Sequence, residues 1–346
     1  MTIRLPHSRA VVLTLALALG LTACGGDSDS DADDETTTPT STSTEDTAAT
    51  DDTDATDADN GSDDTDADAA AGGFPVTVDA DNGEVTLEAR PERIISLSPA
   101  TTEILYAIGA GDQVVAVDEF STYPEAAPTT ALSGHDPNVE ALVDYEPDLV
   151  LLAYDPGDLV ASLEALDIPV MVNDAPVDIE SGYDLVAGLG QATGQVDSAA
   201  GLVAGMRAAM DDALAAAPQD SGLRVYHELD DTFFSASSAS FIGSVYARMG
   251  ATNIADVADT EGTGYPQLTE EAIVGADPEL IIITDQMTYT AEDVAARPGW
   301  AEVSAVRDGN IITVDADLAS RWGPRLPQLV APVAEAMSSA AVPAGR

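Results

Sequence analysis

The chain has 346 residues, of which 62 are Asp or Glu and only 12 are Lys or Arg, for a net charge of −50. So acidic a chain lacks the basic surface that nucleic-acid phosphates demand, which excludes nucleic-acid binding. Its one cysteine, Cys24, excludes an intramolecular disulfide and a cysteine-based metal site.

Residues 1–24 read as a targeting segment, outside the fold. Arg4 and Arg9 form a basic head, followed by an apolar run over residues 10–21 that is short of the roughly 20 residues needed to span a bilayer. Leu21-Thr22-Ala23-Cys24 resembles the lipobox of bacterial lipoproteins, which makes Cys24 the expected lipidated N-terminus. Residues 25–72 hold 17 acidic residues and neither a basic nor an aromatic one. Such a segment cannot bury enough apolar surface to offset its chain entropy, and it reads as a disordered linker. Its root-mean-square reach is roughly 35–40 Å, which suits a tether between a membrane and a folded body.

The body begins at residue 73 and reads as two lobes, 73–183 and 218–346, joined by a helical segment over 184–217. A hairpin is predicted first, Val76-Thr77-Val78 with Val85-Thr86-Leu87 around Asp81-Asn82-Gly83. Residues 93–97 form a buried strand, and Ser98-Pro99 opens a helix, with Ser as N-cap and Pro at the first helical position. That helix stops at Gly109. Strands follow at 114–117, 149–153 and 169–172, with a helix at 159–166 between the last two. This alternation of strand and helix argues for a parallel sheet. Residues 184–217 contain no proline and place apolar side chains at helical spacing. Three glycines, Gly188, Gly190 and Gly194, weaken the first turns, and a break near Gly194 fits the pattern.

A repeat then appears. Residues 140–152, EALVDYEPDLVLL, return as residues 271–283, EAIVGADPELIII, at an offset of 271 − 140 = 131. Arg224-Val225-Tyr226 stands at the same offset from Arg93-Ile94-Ile95. The segment 245–251 echoes 105–110 after an insertion at residues 230–240. Strands at 280–284 and 311–314 and a helix from Leu326 to about Ala341 complete the second lobe. Marks in the same order point to duplication: α/β architecture in two similar parallel-sheet lobes, with a site between them.

The opening RIISLSPATTEILYAIGAGDQVVAVDEFSTYP (93–124) resembles that of the cobalamin- and iron-complex-binding proteins of bacterial ABC importers. The phrases VEALVDYEPDLVLLA, YPQLTEEAIVGADPELIIITD and WAEVSAVRDGNIITVDADLASRWGPRL are similar to later units of that family. The resemblance covers roughly residues 75–341. It implies two lobes bridged by a single long helix, with the ligand in the cleft between them. It also implies a lipid-anchored binding protein on the extracytoplasmic face of the cell membrane. Such a protein performs no catalysis, carries no cofactor of its own and works as a monomer. It hands a cobalamin or iron complex to a permease and its ATPase subunit. In cobalamin-binding members one glutamate per lobe docks on permease arginines, and by motif these are Glu140 and Glu271. Both also read as first-turn helix acids after the N-caps Asn138 and Thr269.

Open α/β sheets bind ligands at the carboxyl ends of their strands. That rule selects Ser98, Phe120, Tyr123, His135 and Tyr154 on the first lobe. On the second it selects Asp231, Phe233, Phe234, Phe241, Tyr265, Arg321 and Trp322. A planar macrocycle or large metal complex needs flat aromatic walls and a few polar anchors. His135, in a loop, is either solvated or an axial ligand of a haem iron. His227 falls within a predicted strand and reads as structural. The alternatives within the fold are haem or ferric-siderophore binding, or ligand sensing. Only Arg321 and Arg325 are obvious basic candidates for an anionic siderophore, which tilts the reading towards cobalamin. A free-metal binder needs His/Asp/Glu clusters, and the body holds two histidines. A hydrolase is disfavoured because no G-x-S-x-G elbow and no recognisable triad appears.

Overall fold

The computed structural model describes residues 73–219 and 221–341. The expected signal peptide (1–24) with its Cys24 and the acidic linker (25–72) lie outside the described residues. The chain enters through an antiparallel hairpin, β1 (Val76–Ala80) and β2 (Gly83–Leu87), turned at Asp81-Asn82. Gly83 at φ 111° takes a conformation that a side chain would strain. Asn82 does more than turn the chain. Its Nδ2 donates to the Val170 carbonyl at 3.0 Å and its Oδ1 accepts from the Val172 amide at 2.9 Å. The hairpin thereby covers the open edge of the first sheet, whose unpaired amides would otherwise invite another strand.

The first lobe alternates β3 (Ile94–Leu97), α1 (Pro99–Ala107), β4 (Val114–Val117), α2 (Val139–Val143), β5 (Leu149–Leu152), α3 (Leu159–Glu164) and β6 (Val170–Val172). Its four strands are parallel in the order β4-β3-β5-β6. β3, β5 and β6 are buried throughout, as continuous aliphatic runs require when helices cover both faces. Ser98 caps α1 by accepting from the Thr101 amide, with Pro99 at the first turn, as the sequence predicts.

The segment read as the bridging helix over 184–217, with a break near Gly194, is two helices that part at that glycine, α4 (Ile179–Thr193) and α5 (Val196–Ala215). Gly194, at φ 71°, ends the first in a left-handed cap that reverses the chain. The two run antiparallel: Glu180 pairs with Arg207 at 2.7 Å, and a Cβ on Gly190 would lie 2.4 Å from the Cβ of Ala199. α4 also starts five residues before the expected boundary, in a capping box formed by Asp178 and Ser181. α5 spans the junction, about 30 Å long for its 20 residues. At its start Gln195 donates to the Gly109 carbonyl of the first lobe, and at its end the Ala216 carbonyl accepts from Ser338 of the second.

The second lobe contains β7 (Arg224–His227), α6 (Phe241–Arg248), β8 (Thr252–Asn253), α7 (Glu270–Ala276), β9 (Leu280–Thr284), α8 (Ala291–Ala295), α9 (Ser304–Asp308), β10 (Ile311–Val314), α10 (Ala316–Ser320) and α11 (Leu326–Ala340). Its parallel order β10-β9-β7-β8 is the first-lobe order read in reverse, with corresponding strands in corresponding places. The duplication holds to the residue. Ile94 pairs with Leu149 and Ile95 with Val150; Val225 pairs with Leu280 and Tyr226 with Ile281, all shifted by 131.

Strand alternation sorts the core into three. Ile94, Leu149, Val225 and Leu280 face one continuous core that runs through both lobes beneath α4, α5 and α11. Ile95 and Val150 face a separate core on the outer side of the first sheet. Tyr226 and Ile281 do the same on the second. The shared core joins the lobes into one folded body.

Candidate functional site

The residues after β3, β4, β5, β6, β9 and β10 and the end of β7 lie together, and there the lobes enclose a cleft with two adjoining hollows. The first, about 490 Å³, is walled mainly by the first lobe: Ser98 after β3, Asp118 and Phe120 after β4, Tyr154 after β5 and Asn173 after β6. The second, about 310 Å³, is walled by the second lobe, with His227 at the end of β7, Phe241 at the start of α6 and Tyr265 in the following loop. Arg321, Trp322, Gln286 and Pro176 line both.

The first-lobe wall is aromatic. The His135 ring lies 6.1 Å from Phe120 and 6.0 Å from Tyr154, centroid to centroid. The Tyr154 hydroxyl sits 2.8 Å from His135 Nδ1. Phe120 is 51% exposed and Tyr265, on the facing lobe, 54%. Exposed rings on both sides of a cleft offer apolar faces that a ligand can desolvate. Trp322 behaves differently. It is buried and stands edge-on to Tyr183 at 6.2 Å and Phe241 at 6.3 Å. Its indole lies so close to α4 that a Cβ on Gly182 would come within 2.0 Å of it.

Beside the aromatic wall an ion-pair cluster crosses between the lobes. Glu103 on α1, with a side chain 3% exposed, accepts from Arg325 Nε at 2.7 Å and from Arg325 Nη2 at 2.5 Å. Arg321 lies 3.4 Å from Glu103 and 2.8 Å from Asp317, and it also donates to the Phe120 carbonyl at 3.1 Å. Both arginines are thus committed to partners, two cations to two carboxylates. Asp118, at the lining of the first hollow, accepts from the Ser121 hydroxyl, and desolvation outweighs that bond and the nearby Arg321 to raise its pKa.

Eight of the twelve residues expected to bind ligand therefore line the cleft: Ser98, Phe120, His135, Tyr154, Phe241, Tyr265, Arg321 and Trp322. Four are placed elsewhere. Tyr123 lies under the Arg325 guanidinium, 4.1 Å from its ring centre. Asp231 is on an exposed turn that Asp230 organises by accepting from Thr232 and Phe234. Phe233, at φ 67°, turns inward and stacks on Trp300 at 6.3 Å, with Arg297 over its ring. Phe234 pairs by its backbone with Gln267 and stays at the surface. No residue of the 230–240 insertion lines either hollow, although Leu229 and Phe241 on its two sides line the second. Glu140 and Glu271 are exposed in the first turns of α2 and α7, behind Asn138 and Thr269, which accept from the Ala141 and Ala272 amides.

Sequence reading missed Glu103, Asp118, Asn173 and Gln286, and placed His227 in the framework. Asn173 follows β6 directly, so the strand-end rule applied to every strand reaches it. Glu103 carries no local signal; only the packing of α1 against the loop after α10 shows its partners.

Residues 94–318 match the family described as periplasmic binding protein. An uncharacterized ABC transporter substrate-binding lipoprotein of Bacillus subtilis is 34% identical over 76% of this chain and 86% of its own length. A cobalamin-binding protein of Halobacterium salinarum is 33% identical over 80% of this chain and 78% of its own. Among solved structures, the periplasmic vitamin B12-binding protein of Vibrio cholerae superposes with a TM-score of 0.62 at 26% identity, over 73% of this chain and 99% of that one.

Proposed function

The chain belongs to the periplasmic binding protein family, and we propose that it captures a corrinoid outside the cytoplasm and delivers it to the permease of an ABC importer. The observation that carries this is the cleft between the lobes: exposed rings on both walls, and arginines already neutralised within the protein. Apolar walls with a few polar groups are what a large flat complex needs. An anionic siderophore, by contrast, needs spare cationic side chains, and Arg321 and Arg325 are bound to Glu103 and Asp317. The protein then performs no chemistry itself; the importer's ATPase supplies the energy. Lipidation at Cys24 would hold it at the membrane, and the acidic linker would let the body reach its partner.

Docking falls to Glu140 and Glu271. The neighbouring Glu270 accepts from Trp300 Nε1 at 2.8 Å, which leaves Glu271 as the outward acid of α7. Reversing both to Arg is expected to abolish uptake by cells while the purified protein keeps its ligand affinity; unchanged uptake removes the docking role.

A second reading, haem binding, draws on one feature. His135 Nδ1 is engaged by Tyr154, and an exposed histidine and tyrosine side by side are chemically suited to an iron axial position. Titration with cobalamin, haem and a ferric catecholate siderophore decides between them, with quenching of tryptophan fluorescence as the signal, since Trp322 lines the cleft. Submicromolar binding of cobalamin alone is the expected result. Binding of haem alone overturns the corrinoid reading.

A further inference from the structure

The second hollow ends on a histidine whose hydrogen bonding is incomplete. His227 is 1% exposed, lines the hollow at the end of β7, and its buried Nε2 has no partner among the described residues. The opposite edge of the ring is occupied: Nδ1 lies 2.9 Å from the hydroxyl of Tyr246, itself fully buried on α6.

These two groups share one hydrogen bond, and its direction follows from counting. If the Tyr246 hydroxyl donates to Nδ1, the phenol hydrogen and the Nδ1 lone pair are both satisfied. The neutral ring then carries its proton on Nε2, and one buried donor remains unmet. If Nδ1–H donates to the phenol oxygen instead, the phenol hydrogen and the Nε2 lone pair are both left without partners. One unmet group is the better arrangement. Burial also keeps the ring uncharged near neutral pH, by pushing its pKa down to about 4.

We propose that the second hollow is a subsite for a neutral oxygen acceptor of the carboxamide type, to which His227 donates its Nε2–H. The surroundings select neutrality. Leu229, Phe241, Ile242, Leu318 and Ala319 make the hollow largely apolar, and Arg321 is held by Asp317 and Glu103. A carboxylate entering there loses its water without gaining a cation, whereas an amide carbonyl needs only the one N–H. A metal ion is not the expected partner, because Nε2 carries the proton in the favoured tautomer. This deepens the corrinoid reading above and rests on it for the identity of the ligand: a corrinoid ring is rimmed by amide arms, one of which reaches His227.

The test uses the purified full-length chain labelled with ¹⁵N in its histidines. The free protein is expected to show His227 as the Nε2–H tautomer. Acetamide is expected to move that resonance, and acetate at equal ionic strength to leave it in place. Dicyanocobinamide, which keeps most of the amide arms, is expected to bind His227→Leu roughly tenfold more weakly than the parent chain, the cost of one lost hydrogen bond. Tyr246→Phe, which frees the tautomer, should weaken it by a smaller factor. An Nδ1–H tautomer in the free protein overturns the proposal, as does a resonance indifferent to acetamide or equally sensitive to acetate. Equal affinity of the parent chain and His227→Leu for the corrinoid does the same. Failure of the parent chain to bind any corrinoid removes the functional reading, and the acetamide response still decides the subsite.

Discussion

The two lobes share a backbone plan and differ in what they bring to the cleft. In the first, Arg93 donates to the Tyr145 and Glu146 carbonyls, at a turn where Glu146 has φ 48°. In the second, Arg224 donates to the Asp277 carbonyl, where Asp277 has φ 49°. Asp148 accepts from the Arg93 amide and Glu279 from the Arg224 amide, again 131 residues apart. These contacts brace the helix-to-strand turn before β5 and β9, so both copies keep them. At the opposite end of the same strands the bracing contacts are not repeated, and the copies part: Ser121 donates to Asp118 in the first lobe, whereas Arg297 pairs with the buried Glu228 in the second. The first lobe offers open rings and the His135–Tyr154 pair; the second offers a buried His227 and a buried Trp322. The repeated half of each unit is architecture, and the divergent half is where a ligand is read.

The sharpest way to break this arrangement is to cut the ion pairs that hold one lobe to the other. Glu103→Ala leaves Arg321 and Arg325 without their shared partner in a nearly buried position. Loss of one member of a buried pair costs about 3–5 kcal/mol, to be read from urea unfolding. A value below 1 kcal/mol contradicts the role assigned to Glu103.

Acid should act next, and on the second lobe. His227 has a pKa pushed down from 6.5 to about 4 by burial, so between these values the unfolded chain binds the proton and the folded chain does not. Stability contributed by the neutral ring is complete above about pH 6.5 and is lost as pH falls towards 4, on the order of 3 kcal/mol in all. The difference in unfolding free energy between the parent chain and His227→Leu should change over that window. A pH-independent difference rules out the depressed pKa.

A smaller effect is expected at the contact between α4 and Trp322. Gly182→Ala places a methyl 2.0 Å from the indole, so Trp322 must shift, for a loss of about 1–3 kcal/mol and a changed fluorescence maximum. An unchanged spectrum argues against that packing. The smallest effects belong to the conserved half of the comparison. Arg93→Ala and Arg224→Ala each remove bonds to turn carbonyls and should cost similar amounts, about 1 kcal/mol. The exposed pairs of Arg224 with Asp277 and Glu279 add little to that. A large inequality between the two variants breaks the equivalence of the lobes.

Much of the frame was legible. The strands at 94–97, 114–117, 149–152 and 280–284 are short aliphatic runs between turn residues, and Ser98-Pro99 is a local helix start; each of these signals lies within a few residues of the element it specifies. The bridge was legible in part. Its apolar period ran through Gly194, but whether a weak point bends or reverses a helix depends on what the second half packs against, here Gly190 against Ala199. Site residues that follow strands directly, such as Ser98 and Tyr154, came from the same rule that places the strands. Phe233 was misplaced because its positive φ and its stacking on Trp300 are set by the turn at Asp230 and by a neighbour 67 residues later.

What sequence alone determined, then, is the repeated α/β plan, the outward acids Glu140 and Glu271, and the cleft at the strand ends. Those features rest on patterns of neighbouring residues or on a comparison of the chain with itself. Tertiary structure decided three things: that Arg321 and Arg325 are spent on Glu103 and Asp317, that residues 230–240 line neither hollow, and that His227 keeps a buried Nε2, unpartnered among the described residues, beside the second hollow. Each depends on desolvation and on partners distant in the chain, such as Glu103 and Arg325, 222 residues apart. Charge and hydrogen-bond capacity are visible in a sequence, but whether they are already used is a property of the packed molecule.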